Sequence, residues 1–402
     1  MVDLRVNFAG LEFKNPIIVA SAEPTNSVAH IKSCVDAGAG GVIVKTLTDS
    51  QAMMTLTQHS RYAILNERGE LCQGRIPRSY TFYSRSGFIP EPWHEWRPKL
   101  AEAQAYAQER GAQVIGSVGA LEPEAWPEIA AMAEGAGLKM LELNFGCPHP
   151  SQMGETKTGM LIGQDEALAA EITASVTRAV SIPVIVKLTP QVADMGAMAR
   201  AVHQAGAAGV TVSNRFVAFA VDIETGRPYI DGRAGVGGPW VKPITLRWVS
   251  EIHSALGLPI AGSNGIYDWR DAVEFIMSGA TVMEVCSVIM LKGFQAITTM
   301  LERLAAFMER KGYRTIEDMR GLATRAILSY GELLSLPKRR AVIDYGLCRD
   351  CKLCYRSCWY EAMDLQNGKV VTRPGNCIGC ELCLSVCPVP EAIRLVPGQH
   401  RG

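Results

Sequence analysis

The chain has 402 residues with forty basic and forty acidic side chains, and this zero formal charge gives no electrostatic reason to bind nucleic acid or an anionic membrane. Hydrophobic residues make up 48%, enough for one large and one small domain, yet no run approaches the roughly eighteen apolar residues of a membrane span. The start, Met1-Val-Asp-Leu-Arg, shows no basic stretch leading into an apolar one, so export is not expected, and twelve unpaired-looking cysteines suit a reducing cytoplasm.

From Asn15 onward one theme repeats: a helical stretch, a small-residue break, then a short apolar strand. The breaks are Asp36-Ala-Gly-Ala-Gly, Glu134-Gly-Ala-Gly, Gln204-Ala-Gly-Ala-Ala-Gly and Ser278-Gly-Ala, each with glycine where a helix must end. Apolar runs predict strands at Pro16–Ser21, Gly41–Thr46, Gln113–Gly119, Met140–Gly146, Val184–Thr189, Gly209–Asn214, Pro259–Ser263 and Val282–Ser287. They lack period-two alternation, as strands covered on both faces do. Amphipathic segments between them include Val28–Ala37, Ala167–Ala179, Gly196–Ala205, Pro243–Ala255 and Trp269–Ser278. Parallel strands each followed by a helix imply an α/β protein built on a (β/α)8 TIM barrel. The alternative, a doubly wound open sheet, would call for a Gly-x-Gly-x-x-Gly turn after the first strand, and none is present.

Two insertions interrupt the repeat. Leu47–Pro98 is rich in aromatics and arginine, and Arg215–Pro239 is rich in glycine; long loops on this rim of a barrel usually cover the active site. The barrel is expected over 1–312 and a helical linker over 313–340, leaving 341–402 for a small bacterial-ferredoxin-like domain with two 4Fe–4S clusters.

That last assignment rests on Cys348-x2-Cys351-x2-Cys354-x3-Cys358 followed by Cys377-x2-Cys380-x2-Cys383-x3-Cys387-Pro388. In such a run three thiolates hold one cubane cluster and the fourth crosses to the other. One cluster is therefore expected on Cys348, Cys351, Cys354 and Cys387, the other on Cys377, Cys380, Cys383 and Cys358. Zinc ribbons use paired rather than triplet cysteines, and a disulfide framework belongs to secreted chains. The other four, Cys34, Cys72, Cys147 and Cys286, read as small buried hydrophobes.

Barrel chemistry sits at the C-terminal ends of strands. Those ends carry Ala20-Ser21, Lys45-Thr46, Asn144 through His149, Lys187 through Thr189, Ser213 through Arg215, Gly262 through Gly265, and Cys286-Ser287. Two lysines and two asparagines at one mouth, with small residues after the last strands to grip a phosphate, outline an FMN site.

Leu141-Glu-Leu-Asn144-x-x-Cys147-Pro148-His149, Lys45-Thr46, Val186-Lys187-Leu-Thr-Pro190, Gly235-Val-Gly-Gly238 and Val285-Cys-Ser287, ahead of a double-cluster tail, resemble the C-terminal portion of dihydropyrimidine dehydrogenases. The set is similar as well to the cluster-bearing subunit of their bacterial NAD-dependent counterpart and, more loosely, to the dihydroorotate dehydrogenase barrel. The resemblance implies FMN contacts from Ala20, Ser21, Lys45, Thr46, Asn144 and Lys187, and from Asn214, Gly238, Asn264, Gly265 and Ser287. Asn144 and Asn214 would also face the substrate ring.

The chain departs from that pattern at three places. The family's proton-donating cysteine or serine precedes a Gly-Gln pair; here Ile162 stands before Gly163-Gln164 and cannot donate a proton. Thr158 is the first candidate to replace it, with Glu155, Lys157, His149, Tyr83, Glu91 and His94 also within reach. The family's substrate-gripping Asn and Glu in the lid have no clean counterpart near Phe88–Pro92. Arg215 replaces a threonine and suits a carboxylate, unless it merely pairs with Asp222 or Glu224 at the rim.

These features imply an oxidoreductase acting on a C=C bond of a small cyclic, heteroaromatic or carboxylated substrate, with Lys187, Asn144, Asn214, Arg215 and Thr158 as its catalytic candidates. No Rossmann fingerprint is present, so electrons would come from an NAD(P)H-oxidising flavoprotein subunit or a ferredoxin, in a homodimer or hetero-oligomer. Genuine dihydropyrimidine dehydrogenase activity with a relocated acid, and a non-catalytic electron-transfer role, are the alternatives. Reduction of RNA is disfavoured by the zero net charge.

Overall fold

The computed structural model describes residues 2–149 and 158–398, so Glu155 and Lys157 lie outside the described residues. The chain divides into two compact units, Met1–Ala326 and Ile327–Gly402.

The first unit is a closed barrel of eight parallel strands. They are β1 (Ile17–Val19), β2 (Gly41–Ile43), β3 (Gln113–Val118), β4 (Leu141–Asn144), β5 (Val184–Lys187), β6 (Gly209–Val212), β7 (Ile260–Ser263) and β8 (Val282–Val285). Each pairs with the next in sequence, and β8 pairs with β1 through Glu284 opposite Ile18. All eight strands expected from the apolar runs are present. Apart from the half-buried Gln113 every strand residue is buried, which is why the sequence shows continuous apolar runs instead of alternation.

The outer ring is α1 (Val28–Asp36), α2 (Arg97–Gln108), α3 (Ala125–Gly135), α4 (Glu166–Ala179), α5 (Met195–Gln204), α6 (Lys242–Leu256), α7 (Trp269–Ser278) and α8 (Gln295–Lys311). Side-chain caps start several of them: Ser27 accepts from the His30 N–H, Asp165 from Ala167 and Leu168, and Asp194 from Ala197. Glycine ends α7 in the left-handed region, and a Cβ on Gly279 would lie 2.3 Å from the His253 ring. No helix among the described residues is long and apolar enough to cross a membrane.

The two insertions form one structure. Arg61–Leu65 and Thr81–Arg85 from the first join Phe216–Ala218 and Ala234–Gly237 from the second in a four-stranded antiparallel sheet. The joint is the pairing of Gly235 with Ser84 and of Val236 with Tyr83. Tyr83 is fully buried there, and its hydroxyl lies 3.1 Å from the Ala218 carbonyl and 2.5 Å from that of Gly232.

Part of the segment expected as a linker belongs to the barrel. Ile316 and Met319 are buried in the barrel core, and the Thr324 hydroxyl donates to the Ser278 carbonyl at 2.7 Å. The second unit pairs Arg339–Ile343 with Ile393–Pro397 and adds a hairpin of Met363–Gln366 with Lys369–Thr372. Its own buried core is small and includes Cys354 and Cys377.

Tyr83→Phe removes the hydroxyl that ties the two insertions together and leaves the half-buried carbonyls of Ala218 and Gly232 without a donor they share. We expect a loss of about 1–2 kcal/mol in urea unfolding and faster proteolysis within 215–239, with the barrel intact.

Candidate active site

The strand ends surround a cavity of about 1020 Å³ that is open to solvent. Ala20 and Ser21 reach it from β1, Lys45 and Thr46 from β2, Asn144 from β4, Lys187 from β5, and Asn214 with Arg215 from β6. Gly238, Asn264, Gly265 and Ser287 complete the opposite wall. The β/α repeat places them together because every parallel strand ends on the same rim.

Lys187 lies at the floor, its side chain only 7% exposed, between two fully buried carboxyl groups. Its Nζ is 2.5 Å from Glu284 and 3.5 Å from Glu142. Burial works against its charge, but the two carboxyls outweigh this and raise its pKa, so it is an ammonium. Lys45 Nζ contacts Glu23 at 2.7 Å. Burial pushes the Glu23 carboxyl up, yet Lys45 and a hydrogen bond from Tyr62 prevail and bring it down to about 2.

A chain of amides spans the cavity. Asn144 Nδ2 donates to Thr46 Oγ1 at 3.1 Å, Asn214 Nδ2 to Asn144 Oδ1 at 3.2 Å, and Asn264 Nδ2 to the Asn214 carbonyl at 3.2 Å. The orientations of both asparagines are thereby set before any ligand arrives.

Arg215 takes neither of its expected rim partners. Its guanidinium donates to Ser84 Oγ and, at 3.3 Å, contacts His149 Nε2, and no carboxylate lies within ion-pair distance among the described residues. Gly235 makes this possible, because a Cβ there would come within 3.0 Å of the guanidinium carbon. Burial holds His149 well below its usual range, and Arg215 and Arg85 lower it further, so its ring is neutral. Arginine only donates, so Nε2 accepts and the ring proton is on Nδ1, which has no hydrogen-bond partner among the described residues.

The candidate proton donors lie elsewhere. Ile162 is fully buried, and Thr158, though buried, does not line the cavity. Tyr83 is spent on lid carbonyls, Glu91 binds Trp96 Nε1 at 2.6 Å and Lys99 at 2.5 Å, and His94 is exposed beside Trp93. His149 stands behind Arg215. Sequence reasoning missed Glu23 and Tyr62, which do line the cavity, as do Cys147 and Cys286. Glu23 was findable as the third residue beyond Ala20 at a strand end; Tyr62 depends on how the lid folds.

The second unit holds two cavities, of about 380 and 360 Å³. Cys348, Cys351, Cys354 and Cys387 line one; Cys358, Cys377, Cys380 and Cys383 line the other. Lys352 and Glu381, each following the second cysteine of its run, share a left-handed backbone, so the two runs repeat one local fold.

The dihydroorotate dehydrogenase family pattern matches residues 86–308, and a 4Fe-4S dicluster domain matches 341–395. The chain belongs to the dihydroorotate dehydrogenase family. The chain is 29% identical to the NAD-dependent dihydropyrimidine dehydrogenase subunit PreA of Escherichia coli (strain K12), over 96% of this chain and 94% of that protein. It is 31% identical to the catalytic subunit of dihydroorotate dehydrogenase B (NAD(+)) of Pyrococcus abyssi, over 80% of this chain and 99% of that one. For the same subunit of Methanocella arvoryzae the identity is 32%, over 80% and 98%. The protein is thus a flavin and iron–sulfur oxidoreductase of the dihydropyrimidine/dihydroorotate dehydrogenase type, with FMN and two 4Fe–4S clusters as its cofactors.

The cavity fits FMN on its own terms. Backbone at Gly237, Gly238 and Gly265 can approach a phosphate closely, and a Cβ on Gly238 would clash with the Tyr80 carbonyl at 2.3 Å. Lys187→Ala leaves two carboxyls buried without their cation. We expect a loss of about 3–5 kcal/mol in thermal unfolding together with loss of bound flavin, read from the visible spectrum.

Proposed function

We propose that the protein reduces or oxidises a C=C bond in a small cyclic substrate that carries a carboxylate. The observation behind this reading is Arg215: a cavity-lining guanidinium held by a hydroxyl and a neutral imidazole, with no ion-pair partner among the described residues. A bidentate carboxylate would supply the missing anion. Dihydroorotate, named for several relatives, is itself a cyclic carboxylate, which agrees with an anionic ligand.

When bound, FMN exchanges hydride with substrate and electrons with the clusters one at a time. Lys187 would neutralise negative charge on the flavin ring, and Gly238, Gly265 and Ser287 would hold its phosphate. Asn144 and Asn214 would present amide groups to the substrate ring, with Ala20, Ser21, Lys45, Thr46 and Asn264 packing and bonding around the flavin. The cysteine sets that line the two cavities would ligate the clusters, and the exposed Cys351 and Cys380 mark where an NAD(P)H-oxidising flavoprotein or a ferredoxin would deliver electrons.

Hydride transfer to carbon needs a proton at the neighbouring carbon. Tyr62 would supply it. It lines the cavity with its side chain partly open to solvent, and partial burial and Glu23 raise its pKa, keeping it a neutral phenol. Tyr62→Phe should leave flavin reduction by the electron donor intact and slow flavin reoxidation by substrate about 10²-fold or more. Full reoxidation rates in Tyr62→Phe and slow ones in Cys147→Ala would assign the proton to the thiol.

The deciding experiment is anaerobic. Protein with intact clusters is photoreduced, then mixed with unsaturated cyclic carboxylates or with uracil and thymine, and flavin reoxidation is followed. Reoxidation by carboxylates is expected, with Arg215→Ala raising KM at least about 10-fold for them and leaving neutral substrates unchanged. Rapid reoxidation by uracil or thymine would favour dihydropyrimidine chemistry, the activity named for the relative that spans 96% of this chain.

A further inference from the structure

The interior of the barrel beneath the cavity holds more acid than base. Glu142 on β4 and Glu284 on β8 are fully buried, and among the described residues Lys187 on β5 is the only cation in ion-pair contact with them. If both carboxyls were ionised the group would carry a net negative charge in a nearly water-excluded place, which costs several kcal/mol by general estimates.

The hydrogen count gives the same answer. Thr211 Oγ1, on β6, lies 2.9 Å from Glu142 Oε2 and 2.7 Å from Glu284 Oε1. A hydroxyl has one hydrogen, so it can donate to one carboxylate and must accept from the other group. Glu284 is the carboxyl in closest contact with the Lys187 ammonium, which leaves Glu142 to carry the additional proton.

We propose that Glu142 is a neutral carboxylic acid at physiological pH, donating to Thr211, and that it serves as a proton-holding positioning residue beneath Lys187. Burial and the neighbouring Glu284 push the Glu142 carboxyl up, and Lys187 offsets only part of this, which brings it to about 8. The groups facing it are Lys187 from β5, Thr211 from β6 and Glu284 from β8. The Lys45–Glu23 pair, Arg215 and Cys286 line the same cavity as Lys187 and Glu284.

Glu142 does not line the cavity, so it acts through Lys187 and Glu284, which do. Negative charge entering the ring above Lys187 tightens the hold of Glu142 on its proton. Alkaline pH above the raised pKa of Glu142 ionises it in the oxidised protein. There, each pair of electrons entering brings one additional proton from water onto Glu142. Below that pH the proton is already in place and no additional uptake occurs.

The test uses the holoprotein and infrared spectroscopy, because the carbonyl stretch of a protonated carboxylic acid stands apart from amide and carboxylate bands. A band from a buried acid is expected at neutral pH, disappearing as the pH passes about 8, and absent in Glu142→Gln. In Glu284→Gln the band should vanish as well, because Glu142 then becomes the sole carboxylate partner of Lys187. A second readout is the flavin midpoint potential against pH, whose slope should steepen by one proton per two electrons above the break in wild type and not in Glu142→Gln.

A wild-type protein without the band at neutral pH, or a Glu142→Gln variant that retains it, would overturn the proposal. The wild-type titration needs no variant to fold. The band does not depend on which substrate is used, so its outcome is separate from that of the carboxylate reading.

Discussion

A lysine ammonium inside a barrel core is tolerable only with anions fixed beside it, and the placement of Lys187 governs much of this molecule. Its two buried carboxyl partners come from the adjacent β4 and from β8, three strands round the barrel, and Thr211 on the other adjacent strand bridges them. Such a polar cluster is costly to break and narrowly defined in geometry, so it holds the floor of the cavity rigid in a way that an apolar layer would not. The cation can then offer a fixed charge to whatever occupies the space above.

Around that floor the site is built from neutral or neutralised groups. Lys45 is matched by Glu23, and the asparagine chain satisfies its own amides. Arg215 is the exception, since its contacts are a serine and a neutral histidine. The guanidinium without an ion-pair partner among the described residues is therefore on the lid side of the cavity. The lid sheet itself consists of two insertions that are far apart in sequence, so the shape of the substrate chamber depends on their pairing at Gly235 and Ser84.

The iron–sulfur unit shows a different balance. Its hydrophobic core contains few buried side chains, two of them cysteines. A unit with so small a core depends on its metal centres for stability as well as for electron transfer. Backbone N–H groups point at its sulfurs, as where Ala341 donates to Cys377 Sγ at 3.3 Å, and such contacts are one means of setting a cluster's potential.

The local code was enough for the barrel, because continuous apolar runs and glycine helix stops recur at each β/α unit and parallel topology follows from them. The same code brought the lysines and asparagines to one rim, since position at a strand's C-terminal end is a local property. Cysteine spacing likewise separated two sets of four, for a run of x2, x2 and x3 admits little else. What the tertiary structure alone decided were meetings between distant segments: the joining of two insertions into one sheet, the approach of Tyr62 to Glu23, the packing of 316–319 onto the barrel and the release of Arg215 from Asp222 and Glu224. The pairing of Glu142 with Glu284 and Lys187 belongs to the same class. Glu142, Lys187 and Glu284 each sit among apolar neighbours in their strands, and only closure of the barrel reveals that the three face one another in its interior.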